Sequence, residues 1–213
     1  MRGLPENPLP AAEFLEVWLP QAFAEAPLPE AARNARGSIG VQLTGDGGGQ
    51  WLLSLGDGAM RVETGSREPA LFSIVQSAED WRGALWDGRG GAIGRQAAKL
   101  FQPGSQNEWK PGEIGGPPNP KTLEEIGKLD GLIRMRVTGG EAGDWSVDFK
   151  LGPGPLPSEP TTTLSMSDAD SQAMARGELD AMEAFMGGHM LVTGDMALVM
   201  QVQAIQMQAA QEL

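Results

Sequence analysis

The sequence predicts a mixed α/β (α+β) fold in which mainly antiparallel sheets are backed by helices and the same arrangement occurs twice. Short apolar runs alternate with turns rich in Gly and Asp, which is typical of strands joined by tight hairpins. Segments with apolar residues at helical spacing flank these runs. The second half of the chain also aligns on the first, and 213 residues with 40% hydrophobic content suffice for two small domains.

The first half begins with a predicted helix. From Ala11 onward, apolar residues such as Phe14 and Trp18 recur at helical spacing. Pro20 is expected to kink or break this helix, because proline lacks the amide hydrogen that a helix interior requires.

Four predicted strands follow the first helix. Three of them are separated only by short turns, which predicts an antiparallel meander; they are residues 37–44, 50–55 and 59–64. A fourth strand at 71–75 continues the meander. Ser77 then provides an N-cap oxygen for a helix that runs through Trp81 and Leu85.

Prolines and glycines dominate the segment 103–121, where no regular structure can persist. We therefore expect a linker at this point. The chain is predicted to consist of a first unit at 1–102, the linker at 103–121 and a second unit at 122–213.

The second unit repeats part of the first. Residues 37–45 align without a gap on 131–139, with four identities in nine positions. The same register pairs Trp51 with Trp145. Self-similarity on this scale suggests duplication, and we expect the two units to associate about a pseudo-twofold axis.

A second alignment covers the passage from strand to helix. After a small shift, residues 72–80 align on 162–170, and in each copy an apolar strand passes through a serine, Ser77 or Ser167, into a helix. The similarity therefore extends over both a strand and a helix start.

The two copies also differ. Four prolines between 153 and 160 occupy the place of the third strand, so that strand is predicted to be missing or displaced in the second unit. Only the second unit continues into a predicted strand at 189–193 and a helix from Met196 to about Ala210.

Three segments of the second unit carry a resemblance to a known family; they are 161–170, 173–180 and 184–200. In order, they contain a strand ending in Ser-Asp, a helix closing on Gly177, an Ala-Phe-x-x-Gly turn, a strand ending in Thr-Gly-Asp-Met and a final helix. This order closely resembles the C-terminal half of sterol carrier protein type 2 (sterol-binding) domains. The chain thus looks like a tandem pair of such units, the first of which departs from the family after Gly88.

The resemblance implies a hydrophobic tunnel in the second unit, closed by the final helix as a lid. Eight of the eleven methionines lie between 166 and 207, and their flexible thioethers suit a cavity with a variable occupant, although they suit an ordinary core as well. The candidate lining residues are Trp145, Val147, Phe149, Met166, Met174, Met182, Phe185, Met186, Met190, Met196, Val199 and Met200.

Composition and charge exclude some classes of binding partner. A formal net charge of −12 disfavours binding to nucleic-acid phosphates and to anionic lipid, so we expect no nucleic acid and at most transient membrane contact. The absence of cysteine and of a long apolar run fits a cytoplasmic protein that neither is secreted nor spans a membrane.

Catalysis is not predicted. His189 is the only histidine, and Asp168 and Asp170 follow Ser167 in a position that favours helix capping. The chain has no Gly-x-Ser-x-Gly nucleophile motif, and its Gly-rich segments lack the Lys-Ser/Thr of a phosphate loop. The sequence therefore predicts a non-enzyme without a metal or other cofactor.

Two functions remain open from the sequence. The preferred one is a non-catalytic intracellular carrier of a sterol, fatty acid, acyl-CoA or similar lipid. The alternative is an assembly or scaffold module whose apolar groove binds a partner protein; in either case the protein can be an oligomer.

Overall fold

The computed structural model describes residues 3–26, 36–99, 101 and 120–211, so residues 103–119 of the predicted linker lie outside the described residues. The helices are α1, in three consecutive segments (Ala11–Glu13, Phe14–Trp18 and Leu19–Ala24), α2 (Ala78–Trp86), α3 (Gly91–Lys99), α4 (Pro120–Ile126), α5 (Asp168–Arg176), α6 (Ala181–Met186) and α7 (Met196–Gln211). The strands are β1 (Gly37–Thr44), β2 (Gly49–Gly56), β3 (Ala59–Thr64), β4 (Phe72–Ser77), β5 (Gly131–Thr138), β6 (Trp145–Leu151), β7 (Thr162–Ser167) and β8 (Met190–Gly194).

The eight strands form one sheet in the order β3-β2-β1-β4-β6-β5-β7-β8. The pairs β1–β4 and β5–β7 are parallel, and the other five pairs are antiparallel. The predicted mixed, mainly antiparallel fold is confirmed. The fourth strand does not continue the meander, however, because β4 returns to lie beside β1.

The same pairing pattern occurs in both halves of the sheet. Ile39 lies opposite Phe72 in the parallel pair β1–β4, and Ile133 lies opposite Thr162 in β5–β7. These are the equivalent positions that the sequence alignment predicts.

The two halves are related by a shift across the sheet. The strands β2-β1-β4 are followed by β6-β5-β7 in equivalent order, and equivalent strands point the same way. A pseudo-twofold axis would reverse either the order or the directions, so the expected twofold arrangement is wrong. The hydrogen-bonded pair β4–β6 joins the two halves.

The helices α1 to α5 and α7 contribute to apolar clusters on one face of the sheet. The other face carries polar side chains, including the ion pair between Arg134 and Asp148 at 2.7 Å. On this face the Arg67 guanidinium donates a hydrogen bond to the Gly154 carbonyl at 3.0 Å, which ties together the connections that precede β4 and β7.

Aromatic side chains fill the core under the first half of the sheet. Phe14 is 1% exposed, and its ring lies 4.7 to 5.6 Å from the rings of Trp18, Trp81, Trp86 and Phe101. This interior is packed by its own side chains.

The first helix does not end at Pro20. The segment Phe14–Trp18 is π-helical, and the Leu19 amide donates to the Phe14 carbonyl five residues earlier. Because this wider turn changes the hydrogen-bonding pattern just before Pro20, the helix continues to Ala24. The expected break at Pro20 is therefore wrong, and a π turn precedes the proline instead.

Local features of the second half follow the sequence. Ser167 caps α5 by accepting a hydrogen bond from the Asp170 amide at 3.1 Å, just as Ser77 caps α2 through the Asp80 amide at 2.9 Å. Gly177 ends α5 in the left-handed conformation, with φ of 75°. Residues 152–161, which contain the four prolines, form no strand in the described chain.

Candidate functional site

A row of apolar side chains crosses the second half of the sheet on its helix-covered face. Met135 on β5 lies opposite Val147 on β6 and beside Leu164 on β7, and Leu164 lies opposite Val192 on β8. Paired positions in neighbouring strands share a face, so these four residues form what we call the central row. Val147 is buried, whereas the other three side chains are half-buried, so the row is more accessible toward β8.

Two apolar clusters flank the central row. Toward the C-terminal ends of β5 and β7 lies a cluster that includes Val137 and Met166. Toward the N-terminal ends, Ile133 and Leu151 pack against Leu198 of α7. Met135 packs against both clusters. The central row therefore lies between two clusters that helices cover.

The first half of the chain supplies one side of this region. Ile74 on β4 lies opposite Phe149 on β6, and the rings of Phe72 and Phe149 stack with their centroids 5.5 Å apart. Ala84 of α2 and Ile93 of α3 also join the cluster around Met166. The apolar face of the second half is thus completed by residues of the first.

Six of the twelve predicted lining residues come together in one cluster; they are Trp145, Val147, Phe149, Met166, Met174 and Met190. The other six do not join this cluster. On α6, Met182, Phe185 and Met186 are exposed, and on α7, Met196 and Met200 are exposed while Val199 is half-buried.

The final helix covers one end of the region. Leu198 and Val202 of α7 pack against the cluster around Ile133 and Leu151. Helix α7 also packs along α4 and β7. The predicted helix at this position is confirmed, and one of its faces is buried on the sheet.

Sequence reasoning missed the half-buried members of the region: Ile74, Met135, Leu164 and Val192. Met135 had a signal in the sequence, because Ile133, Met135 and Val137 alternate with arginines along one strand. Ile74 had none, because its position depends on the pairing of β4 with β6, which joins residues far apart in the chain.

The single histidine lies in a polar cluster at the start of α5. His189 Nδ1 lies 2.9 Å from Asp170 Oδ1, and the Ser167 hydroxyl donates to Asp170 Oδ2 at 2.6 Å. This hydroxyl holds the pKa of the Asp170 carboxyl below its ordinary value, and the neighbouring His189 adds to the effect. A nucleophilic serine would instead donate to the imidazole, so the geometry is that of a helix cap whose carboxylate also contacts the imidazole.

Metal binding and membrane spanning find no support in the described residues. Within residues 3–26, 36–99, 101 and 120–211, no group of three or more His, Cys, Asp or Glu side chains is placed to hold a metal ion. None of the helices in this part of the chain is both long enough and apolar enough to cross a membrane.

The sheet, its single helical layer and the central row define a class of α/β proteins with an apolar surface between sheet and helices. Residues 114–207, which include the central row, match the model of the SCP-2 sterol transfer family. The resemblance predicted from the sequence is confirmed for this segment.

Individual relatives cover the same part of the chain. Sterol carrier protein 2 of Homo sapiens is 35% identical in an alignment over 100 residues that covers 41% of this chain and 18% of that protein. Hydroxysteroid dehydrogenase-like protein 2 of Xenopus tropicalis is 33% identical in an alignment over 87 residues that covers 38% of this chain and 21% of that protein. The chain thus spans about a fifth of the length of these curated relatives.

Among solved structures, the sterol carrier protein domain 2 of Helicoverpa armigera is 27% identical to this chain. The match covers 42% of this chain and 76% of that one, with a TM-score of 0.30.

Proposed function

We propose that the chain binds one apolar lipid reversibly along the central row and carries it through the cytoplasm without catalysing a reaction. The half-buried apolar row between two helix-covered clusters is the observation that carries this proposal. Its place inside the segment that matches a sterol transfer family supports a sterol, fatty acid, acyl-CoA or similar lipid as the ligand.

The proposed lining combines the central row with its neighbours Phe149, Met166, Met174 and Met190. Methionine side chains rearrange at low cost because their rotatable bonds are unbranched, so they fit around ligands of different shape. Helix α7 acts as the lid at the N-terminal end of β5, and the accessible side of the tunnel lies toward β8.

The apolar contact supplies most of the binding energy in this proposal. Burying about 400 Å² of ligand surface at roughly 25 cal/mol per Å² contributes on the order of 10 kcal/mol before the costs of association and ordering, which are themselves at least about 4 kcal/mol. A micromolar dissociation constant corresponds to about 8 kcal/mol, so apolar burial of this size gives binding weaker than micromolar unless more surface is buried or a polar contact is added.

The first unit has a supporting role in this proposal. We propose that the two units, joined by the linker at 103–121, are diverged copies, which their matching strand order and parallel registers support. The aromatic side chains around Phe14 fill the first interior, while Ile74 and Phe72 complete the wall of the second.

Displacement of a fluorescent fatty acid by palmitate tests the proposal. We expect saturable binding to the wild-type protein and lipid that remains bound in native mass spectrometry. Leu164→Trp fills the central row and should weaken binding at least about tenfold, because the added ring occupies ligand space.

Leu191→Trp is the matched control, since Leu191 is exposed on the neighbouring strand and points to the opposite face. It should leave the affinity unchanged. Absence of saturable binding by the folded wild-type protein would rule out the carrier function and favour the partner-binding alternative.

A further inference from the structure

Helix α7 has a second apolar face, which is exposed. Met196, Met200 and Met207 are 38%, 63% and 63% exposed, respectively. At about 100° per residue, these three side chains fall within roughly 40° of one another around the helix. Leu198 and Val202, which pack on the sheet, lie on the opposite side. We call the exposed set the methionine stripe.

The same helix is free of charge. Residues 196–211 include no Asp, Glu, Lys or Arg, although the chain as a whole has a net charge of −12. The rest of the surface therefore repels a second copy of the chain, whereas α7 does not. The helix presents only apolar and amide side chains, so the surface that matches it best is also apolar and uncharged. The same helix of a second copy is such a surface.

The spacing of the stripe is self-complementary. Positions 196, 200, 203 and 207 are separated by four, three and four residues, which is the a/d spacing of a coiled coil, with Gln203 as the polar member. This spacing reads the same in both directions. An antiparallel pair about a twofold axis therefore places Met196 against Met207 of the partner subunit, and Met200 against Gln203 of the partner subunit.

We propose that α7 forms an antiparallel helix pair with α7 of a second copy of this chain. The stripe is about 17 Å long, so a contact along it buries much less surface than the roughly 800 Å² per partner of a standard interface. The dimer is therefore weak and forms at high protein concentration. The pair uses the outer side of α7, whereas the ligand proposed above lies on the sheet side. Failure of one proposal therefore leaves the other standing.

Sedimentation equilibrium over a series from about 1 μM to about 1 mM tests the pairing. The wild-type chain should show a reversible monomer–dimer equilibrium. Met200→Glu brings carboxylates into the seam and should raise the dimer dissociation constant at least about tenfold. Gln203→Leu replaces the polar member and should lower it by about tenfold.

Met186→Glu is the matched control, because Met186 is 75% exposed on α6 and lies outside the stripe. It should leave the dimer unchanged, and circular dichroism spectra like that of the wild type verify that all three variants are folded. A wild-type chain that stays monomeric throughout, or equal weakening by Met186→Glu and Met200→Glu, overturns the proposal. So does a monomer that pellets with phosphatidylcholine vesicles and loses this binding in Met200→Glu, since the stripe would then face a neutral membrane.

Discussion

The most unusual single residue is the buried lysine at the end of β6. Lys150 is 1% exposed, and its ammonium group donates to the Asp130 carboxylate at 2.9 Å and to the Leu151 carbonyl at 2.7 Å. It also donates to the carbonyls of Gly152 and Pro153, both at 3.3 Å. Lys150 therefore organises the chain reversal that stands where a third strand would be.

Lys150→Met should lower the free energy of unfolding by about 2–4 kcal/mol, because buried carbonyls lose their donor while the side-chain volume is kept. Urea unfolding measures the change. The exposed Lys128, also paired with a carboxylate, is the matched control, and Lys128→Met should have almost no effect. Equal effects of the two variants would contradict the assigned role.

The hydroxyl of Ser167 controls the ionisation of Asp170. Because its hydrogen bond lowers the pKa of Asp170 in the folded state, the interaction stabilises the fold above the carboxyl's ordinary unfolded-state pKa. That contribution is lost as the pH falls through the lowered folded-state pKa. In Ser167→Ala the Asp170 pKa should rise, as measured by carboxyl NMR titration.

Ser77→Ala is the control for this titration, since it removes the equivalent cap of α2 and leaves Asp170 untouched. An Asp170 pKa that does not rise in Ser167→Ala would mean that His189 alone sets it. Both variants should also lose about 1 kcal/mol of stability through the missing N-cap.

Residue roles that depend only on nearby positions in the chain were predictable from the sequence. Ser77 and Ser167 were recognised as caps because the pattern that reveals a cap lies within a few residues. Lys150 was not recognised, because its burial depends on a chain reversal that no local pattern encodes. Met182 and Met186 show that residue type alone does not predict burial. Both were predicted to line an apolar site because they are methionines, and the fold leaves both exposed.

At the scale of elements, the strands were more predictable than their pairing. Alternation and turn residues placed β1 and β3 at the bounds that the structure has. The parallel position of β4 beside β1 was missed, because a short connection suggested a continued meander. The π turn in α1 was also missed, since the expectation for Pro20 assumed an ordinary α-helix.

The contact between α3 and α5 permits a test at this scale. Gly91 has φ of 53°, and a Cβ atom there would lie 2.0 Å from the buried Ser171 hydroxyl oxygen. Gly91→Ala should therefore lower the stability by about 1–3 kcal/mol more than backbone strain alone, as measured by urea unfolding.

Gly88→Ala isolates the backbone contribution, because Gly88 has φ of 70° and open space around the added atom. Gly88→Ala should lower the free energy of unfolding by about 1 kcal/mol. If the two variants lower the free energy of unfolding by the same amount, close packing at Gly91 does not constrain the contact between α3 and α5.

At the scale of the whole molecule, the two halves share one sheet. Besides the β4–β6 pair, the Trp145 indole donates to the Asp80 carbonyl at 2.9 Å, and Arg89 donates to the Asp144 carbonyl at 2.9 Å. Sequence similarity revealed that the halves are alike. It did not reveal how they meet, because β4 and β6 are far apart in the chain and no repeated motif or residue spacing indicates that they pair.

A shared sheet should unfold as one unit. We expect circular dichroism, which reports all helices, and tryptophan fluorescence, which reports mainly the first half, to give superimposable urea transitions. Four of the five described tryptophans, all but Trp145, lie in the first half. Two separated transitions would show that the halves are energetically independent.

We propose that a lipid binds among the half-buried side chains between the two clusters. Methionine methyl NMR during a fatty-acid titration can detect this binding directly, because methionines occur both inside this region and on the surface. We expect saturable shifts for Met135, Met166, Met174 and Met190, with the signals of Met182 and Met186 unchanged. Unchanged interior methyl signals, or shifts confined to the exposed methionines, would show that no lipid binds in this region.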